Sequence, residues 1–323
     1  MQVCVLGATG FIGDHIARQC VQAGWNVQAL RRNPQATGNI PDISITWFTG
    51  DLSEHESLLR AMSGCEIVFH AAAYYPHQTG NVAAQVASAV AEMQSVLAAA
   101  AECSVKRMVF TSSLTTIGLP AEIGLLADER DFYTPGTLAA SAYYEAKYAM
   151  EQLAFHAAPT GLDVVVLNPT AVFGPGDVKP TTGRILIALA KGYGRVLIEG
   201  ETNVIDVREV ATAHIEAAKV GQAGERYIIG GHNLTMRTAL ETVAEVAGVR
   251  PPRFRVPLPL LGALAGLAKV FPMLGLPVNH LHAIRNWQPL ASQKADMAFG
   301  LNHWPFKETV SDSLTWFSTQ KYV

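Results

Sequence analysis

The feature that most constrains this chain is the run Gly7-Ala8-Thr9-Gly10-Phe11-Ile12-Gly13, which follows the apolar stretch Val3-Cys4-Val5-Leu6 without a spacer. Gly7 permits a tight turn, Gly10 lets a ligand approach the backbone, and Gly13 lets a helix pack closely on the strand. That helix, patterned by Ile12, Ile16 and Ala17, presents its unpaired N–H groups and the positive end of its dipole to the turn. The ligand that suits such a turn between strand and helix is the pyrophosphate of a dinucleotide.

Beyond the turn, short β-branched or apolar runs alternate with longer amphipathic segments and show no fixed-period repeat. Strands are expected at Val3–Leu6, Val27–Leu30, Ile43–Phe48, Ile67–Ala71, Met108–Ser112 and Val164–Asn168. Helices are expected near Ile12–Ala23, Ser53–Met62, Val82–Glu102 and Ser141–Ala158. The fold class is α/β: a Rossmann doubly wound parallel sheet with a smaller C-terminal substrate-binding lobe. The expected strand order, 3-2-1-4-5-6, places a crevice at the carboxyl ends of strands 1 and 4. Pro169, Gly174, Pro175, Gly176 and Pro180 mark an irregular passage, which divides a dinucleotide-binding domain, 1–170, from a mainly substrate-binding lobe, 171–323. The lobe carries a helix at Ile185–Lys191, a strand at Val196–Ile198, a helix at Arg208–Lys219, a strand at Tyr227–Ile229 and helices at Ala239–Ala247 and near Val310–Ser318. Some of these segments are open to extending the large sheet.

Composition narrows the partners. The 323 residues carry a net charge of −3, so there is no bulk attraction to nucleic acid or to an anionic membrane, and a small molecule is the expected partner. With 49% hydrophobic and 16% charged residues the chain can fill a large core. Cys4, Cys20, Cys65 and Cys103 are scattered without zinc-ligand spacing, which fits reduced thiols in a cytoplasm. The amino terminus enters the first strand without the pattern of a secretory signal. Val256–Val278 is long and apolar, but Pro257, Pro259, Pro272, Pro277 and Lys269 interrupt it, which favours a buried or lid-forming helix over a membrane span. His280 and His282 lack an evident third ligand, so no metal is assigned.

Where an NAD enzyme presents an acid after its second strand, this chain has Arg31-Arg32. Two guanidinium groups can clamp a 2′-phosphate, which favours NADP(H), with NAD(H) the alternative. The G-x-x-G-x-x-G spacing resembles the short-chain dehydrogenase/reductase superfamily. That resemblance implies adenine contact at Asp51, beside Leu52, and cofactor room at the small residues of His70-Ala71-Ala72-Ala73.

Tyr143 and Lys147 are four apart on an expected helix, so both side chains share a face. A nearby ammonium favours the phenolate and brings tyrosine into range as an acid or base. Tyr144, three before Lys147, is also within reach, and only the superfamily spacing selects Tyr143. By the same resemblance the second serine of Phe110-Thr111-Ser112-Ser113 is the catalytic hydroxyl, with Thr115 a second candidate. Lys147 is also implied to hold the nicotinamide ribose.

The likeness extends to the NAD-dependent epimerase/dehydratase family, including dihydroflavonol reductase-like members. Asn168-Pro169-Thr170-Ala171-Val172-Phe173-Gly174-Pro175-Gly176 resembles its strand-6 motif, whose backbone near Pro169 and Val172 faces the nicotinamide. Val204-Ile205-Asp206-Val207-Arg208-Glu209-Val210-Ala211 and Ser292-Gln293-Lys294-Ala295 resemble later signatures. Two positions depart from the pattern. Ala89-Val90-Ala91-Glu92-Met93 stands where Asn-Val-x-Gly-Thr is usual, and Thr202 stands where sugar-nucleotide epimerases tend to carry an arginine. Substrate candidates are Tyr74, Tyr75, His77, Arg184 and Arg208. The leading expectation is an NADP(H)-dependent reductase acting on a carbonyl or alcohol. The alternatives are a nucleotide-sugar epimerase or dehydratase with transient cofactor reduction, and an NADP(H)-sensing binding protein. Family resemblance also implies a homodimer, through Val82–Glu102 and the Tyr143 helix.

Overall fold

The computed structural model describes the chain except for residues 39–42, 73–80, 123, 139–140, 158–160, 194–195 and 257–286. The first half contains β1 (Gln2–Leu6), α1 (Phe11–Gln22), β2 (Asn26–Arg31), β3 (Ile45–Thr49), α2 (His55–Met62), β4 (Ile67–His70), α3 (Val82–Glu102), β5 (Arg107–Thr111), α4 (Ala142–Ala157) and β6 (Asp163–Pro169). The second contains β7 (Ala171–Phe173), α5 (Gly183–Ala190), β8 (Val196–Ile198), β9 (Glu201–Asp206), α6 (Val207–Val220), β10 (Arg226–Ile229), β11 (His232–Thr235), α7 (Met236–Ala247) and β12 (Phe254–Val256). It closes with α8 (Gln293–Phe299) and α9 (Phe306–Thr319).

Among the described residues, seven strands form one parallel sheet in the order β3-β2-β1-β4-β5-β6-β10. The expected order is therefore present, and the chain returns after β9 to add β10 at the edge. β1, β4 and β6 are almost wholly apolar because helices cover both faces. On one face α1 and α6 pack together, with Ile16, Ala17, Val210 and Ala213 against Val3, Val5, Phe69 and Val109. On the other, α2, α3 and α4 bring Leu58, Met93, Val96 and Met150 against Leu6, Val68, Met108 and Phe110. α3 is long and apolar enough to cross a membrane by length and composition, and here it is one of these sheet-covering helices.

A separate buried cluster, including Phe173, Leu186, Leu197, Leu240 and Phe317, joins α5, α7 and α9 to the sheet β11-β9-β7 and the pair β12-β8. Sequence pattern did not mark β7, β9, β11, β12 or α8. β7 and β12 have only three residues each, β11, His-Asn-Leu-Thr, is mostly polar, and the six-residue β9 opens on the polar run Glu201-Thr202-Asn203. Several helix starts also differ, with α5 starting at Gly183 rather than Ile185 and α9 at Phe306 rather than near Val310. α2 begins at His55 rather than Ser53 because the Ser53 N–H donates to Asp51 Oδ1 at 3.0 Å, making a turn before the helix. α7 begins at Met236, where the Thr235 hydroxyl accepts the Thr238 N–H at 3.0 Å. Of the apolar stretch from Val256 to Val278, Val256 closes β12 and the remainder lies outside the described residues, as do His280 and His282.

Candidate active site

β1 and β4 are neighbours, but the chain leaves them towards opposite faces, so their carboxyl ends open a crevice. Gly7 lies there with φ +94°, in the left-handed region that favours glycine. A Cβ on Gly7 would come within 2.6 Å of Ala72 N and 2.7 Å of the Ala71 carbonyl carbon. A Cβ on Gly13 would run into the Gly7 carbonyl group. The Gly10 N–H closes the turn on Gly7 O at 2.8 Å. Gly10 also begins α1 without a side-chain cap, so the helix start that runs from Thr9 and Gly10 into Phe11 and Ile12 presents as a cradle the backbone donors of its first turn, the Gly10 N–H excepted. The half-buried Ala71 and Ala72 form its far wall. The cradle fits a pyrophosphate.

At the end of β2, the Arg31 guanidinium lies 5.1 Å over the Trp47 ring and donates to Ala36 O at 3.2 Å, while Arg32 is exposed. Asp51 accepts hydrogen bonds from Ser53 N and Oγ, and Leu52 packs half-buried on the α2–α4 side. Burial pushes the Asp51 carboxyl up, but the Ser53 hydrogen bonds and the Arg32 charge bring it below its ordinary value. Glu92 of α3 shares this neighbourhood: burial and Asp51 raise it, against the pull of Arg32.

Ser113 follows β5, is buried, and accepts the Thr115 N–H at 3.2 Å. Its side chain is hydrogen-bonded to the Tyr143 phenol, which opposes the upward push of burial on that phenol. The neighbouring Tyr144 packs instead on Tyr133, with ring centroids 5.7 Å apart, and burial pushes it up to about 12. Lys147 is 2% exposed, and its Nζ donates to Thr111 O at 2.9 Å. Burial lowers it to about 8, against partial support from Glu151. The buried Thr115 Oγ1 has no partner among the described residues. Pro169 is buried at the end of β6, and the Val172 carbonyl accepts the Thr182 hydroxyl at 2.6 Å.

The second-lobe arginines fare differently. Arg184 is exposed on α5. Arg208 has its donors engaged by Asp206 at 2.7 Å and Asp312 at 2.8 Å and stacks 3.7 Å over Trp304, which makes it a brace between α6 and α9. Tyr74, Tyr75 and His77 lie outside the described residues. Among the described residues no group of three or more His, Cys, Asp or Glu side chains could hold a metal ion.

Two residues beside this site escaped sequence reasoning. Glu151 is fully buried, and its Oε2 accepts from Ser112 Oγ, from Thr116 Oγ1 at 2.6 Å and from Asn168 Nδ2 at 2.8 Å. Its Oε1 accepts from Arg226 Nη1 at 2.8 Å. Arg226 also donates to the carbonyls of Glu129 and Asp131 and lies 3.6 Å over Phe132. The pair thus ties α4, β6, β10 and the turn that carries Ser113 into one buried network. Glu151 stands one helical turn after Lys147, a signal that was available, whereas Arg226 is 75 residues further on and meets it only in the fold.

The chain matches the model of the NAD dependent epimerase/dehydratase family over residues 3–230. It is 32% identical to a protein of Synechocystis sp. described as a putative dihydroflavonol 4-reductase, across 99% of this chain and 95% of that one. It is 26% identical to sterol demethylase protein B of Methylococcus capsulatus, with 98% of each covered. Among solved structures it resembles PA4631 of Pseudomonas aeruginosa, described as a nucleoside-diphosphate-sugar epimerase. The TM-score is 0.84 at 28% identity, over 100% of this chain and 99% of that one.

Proposed function

We infer the activity from the premise that this chain belongs to the NAD dependent epimerase/dehydratase family, whose model matches residues 3–230. The protein is an enzyme, an NAD(P)-dependent reductase or epimerase. Our reading is a reductase that moves hydride between NADP(H) and a carbonyl or alcohol. The observation that supports this chemistry is the hydrogen bond between Ser113, after β5, and the Tyr143 phenol, with Lys147 four residues further along α4 bonded to Thr111 O at the end of β5. The choice of reductase rests on the near full-length likeness to the putative dihydroflavonol 4-reductase and on Thr202 at the position noted above.

The turn from Gly7 to Gly13 would hold the pyrophosphate, Asp51 and Leu52 the adenine side, and Arg31 with Arg32 a 2′-phosphate. Ala71, Ala72, Pro169 and Val172 would border the nicotinamide half, and Lys147 would hold its ribose. The nicotinamide supplies or accepts the hydride when bound. In the reducing direction Tyr143 donates its phenolic proton to the substrate oxygen as negative charge develops there, and Ser113 donates a hydrogen bond to the same oxygen. The Lys147 ammonium stabilises the phenolate left behind. In the oxidising direction the phenolate accepts the alcohol proton. The α5, α7 and α9 cluster would serve as the substrate lobe, and α3 with α4 would form a homodimer face, which sedimentation of monomer alone would remove. The free thiols of Cys4, Cys20, Cys65 and Cys103 suit a reducing compartment such as the cytoplasm.

The test is a purified-enzyme assay across carbonyl and nucleotide-sugar panels. A reductase consumes NADPH in proportion to product. Tyr143→Phe is expected to lower kcat by at least about 100-fold, with Tyr144→Phe active. Loss confined to Tyr144→Phe would reverse the tyrosine assignment. Conversion of a nucleotide sugar with no net change in dihydronicotinamide absorbance would establish the epimerase reading instead, which the likeness to PA4631 favours.

A further inference from the structure

Leu6, His70 and Phe110 lie side by side across β1, β4 and β5. Val68 packs towards α2–α4, so strand alternation turns His70, two residues later, to the same face. The surroundings are apolar: Leu6, Phe110, Ala89 and Met93 of α3, and Ala146 of α4 belong to one buried cluster. The His70 ring is fully buried and lies 5.3 Å from the Phe110 ring, and neither Nδ1 nor Nε2 has a partner among the described residues. A neutral imidazole always presents one N–H donor and one bare acceptor, and buried polar atoms are satisfied by protein or by ordered water.

The charged group beside this ring is Lys147. Its Nζ spends one of three N–H groups on Thr111 O and stands 5.3 Å from the same Phe110 ring. Burial, and then the Lys147 charge, hold the imidazole neutral, down to about 3. Among the elements packed here, α4 brings Lys147, Glu151 and Tyr143, β1 and β5 bring Leu6 and Phe110, and α3 brings Ala89 and Met93.

We propose that His70 holds a water molecule that also accepts a hydrogen bond from Lys147 Nζ, which makes His70 a positioning residue for that lysine. The proposal rests on the role given to Lys147 above. A water anchored by a neutral ring gives the ammonium an acceptor inside an apolar pocket and adds no second positive charge. Without it, the ammonium and the phenolate it supports are both disfavoured.

Two measurements test this. In protein labelled with 15N-histidine and assigned by difference from His70→Phe, the His70 ring should remain neutral from about pH 5 to about pH 8. Its N–H should show a cross-peak to a bound water. In the oxidising direction, His70→Phe is expected to lower kcat about tenfold and to move the rising limb of the pH profile upward by about one unit. His70→Gln, whose carboxamide can hold the water, should restore the limb. An unmoved limb in folded His70→Phe, or a wild-type ring N–H without water contact, overturns the proposal. If His70→Phe does not fold, the remaining histidine signals are assigned with His70→Gln and the wild-type spectrum decides. Full turnover in Tyr143→Phe would sink the catalytic reading, whereas the water contact at His70 is judged separately by the spectrum.

Discussion

Burial lowers the Lys147 ammonium to about 8, against partial compensation from Glu151. The unfolded value lies near about 10.4. Because the folded value is the lower one, the folded state carries the cost of the buried cation at every pH below about 8, and stability recovers as pH rises towards about 10. Lys147→Met is therefore expected to abolish turnover and to stabilise the fold by about 3 kcal/mol at pH 7, with the gain fading by about pH 10. Denaturant melts at the two pH values check this, and an equal gain at both would show that the ammonium is not the source. The same residue scale separates the arginines. Arg31 is stacked on Trp47 and Arg32 is exposed, the two positions proposed above for a 2′-phosphate, whereas Arg208 is already engaged by two aspartates and Trp304.

At the scale of elements, the β1–α1 turn and the Glu151–Arg226 pair set the site's geometry. Gly7 and Gly24 share positive φ, +94° and +76°, but a Cβ at Gly7 meets the backbone of Ala71 and Ala72 while one at Gly24 meets nothing within 4 Å. Gly24→Ala should cost about 1 kcal/mol, the conformational term alone, whereas Gly7→Ala should cost at least about 2 kcal/mol more and lose cofactor binding. Equal costs in chemical denaturation would show that the crevice wall yields. Glu151→Leu leaves the Arg226 guanidinium, 2% exposed, without its carboxylate, and a loss of about 3–5 kcal/mol is expected. Adding Arg226→Leu should recover at least about 1 kcal/mol of that loss. A purely additive double mutant would mean that the pair is uncoupled.

For the whole molecule, a ligand that binds only the folded state stabilises it by mass action. NADPH at about 100 times its Kd should add about 2.7 kcal/mol, read as a rise of several degrees in melting temperature. Arg31→Ala/Arg32→Ala should remove most of the NADPH shift and leave any NADH shift intact, and equal loss of both would refute the 2′-phosphate clamp. The local signals in the sequence were strong because their partners are near in the chain. Apolar runs between helical patterns defined the doubly wound sheet, the Gly7–Gly13 spacing marked the tight turn between β1 and α1, and a separation of four residues placed Tyr143 and Lys147 one turn apart on α4. The later lobe was less legible, since β7, β11 and β12 are short, β9 opens on three polar residues, and all four take their sense from the strands they pair with. Tertiary structure alone decided that Glu151 meets Arg226, that Arg208 is a brace, and that His70 and Lys147 each lie 5.3 Å from the Phe110 ring. The physical reason is that backbone propensity and side-chain period act over a few residues. Burial and charge act across the sheet, where strand order chooses the neighbours.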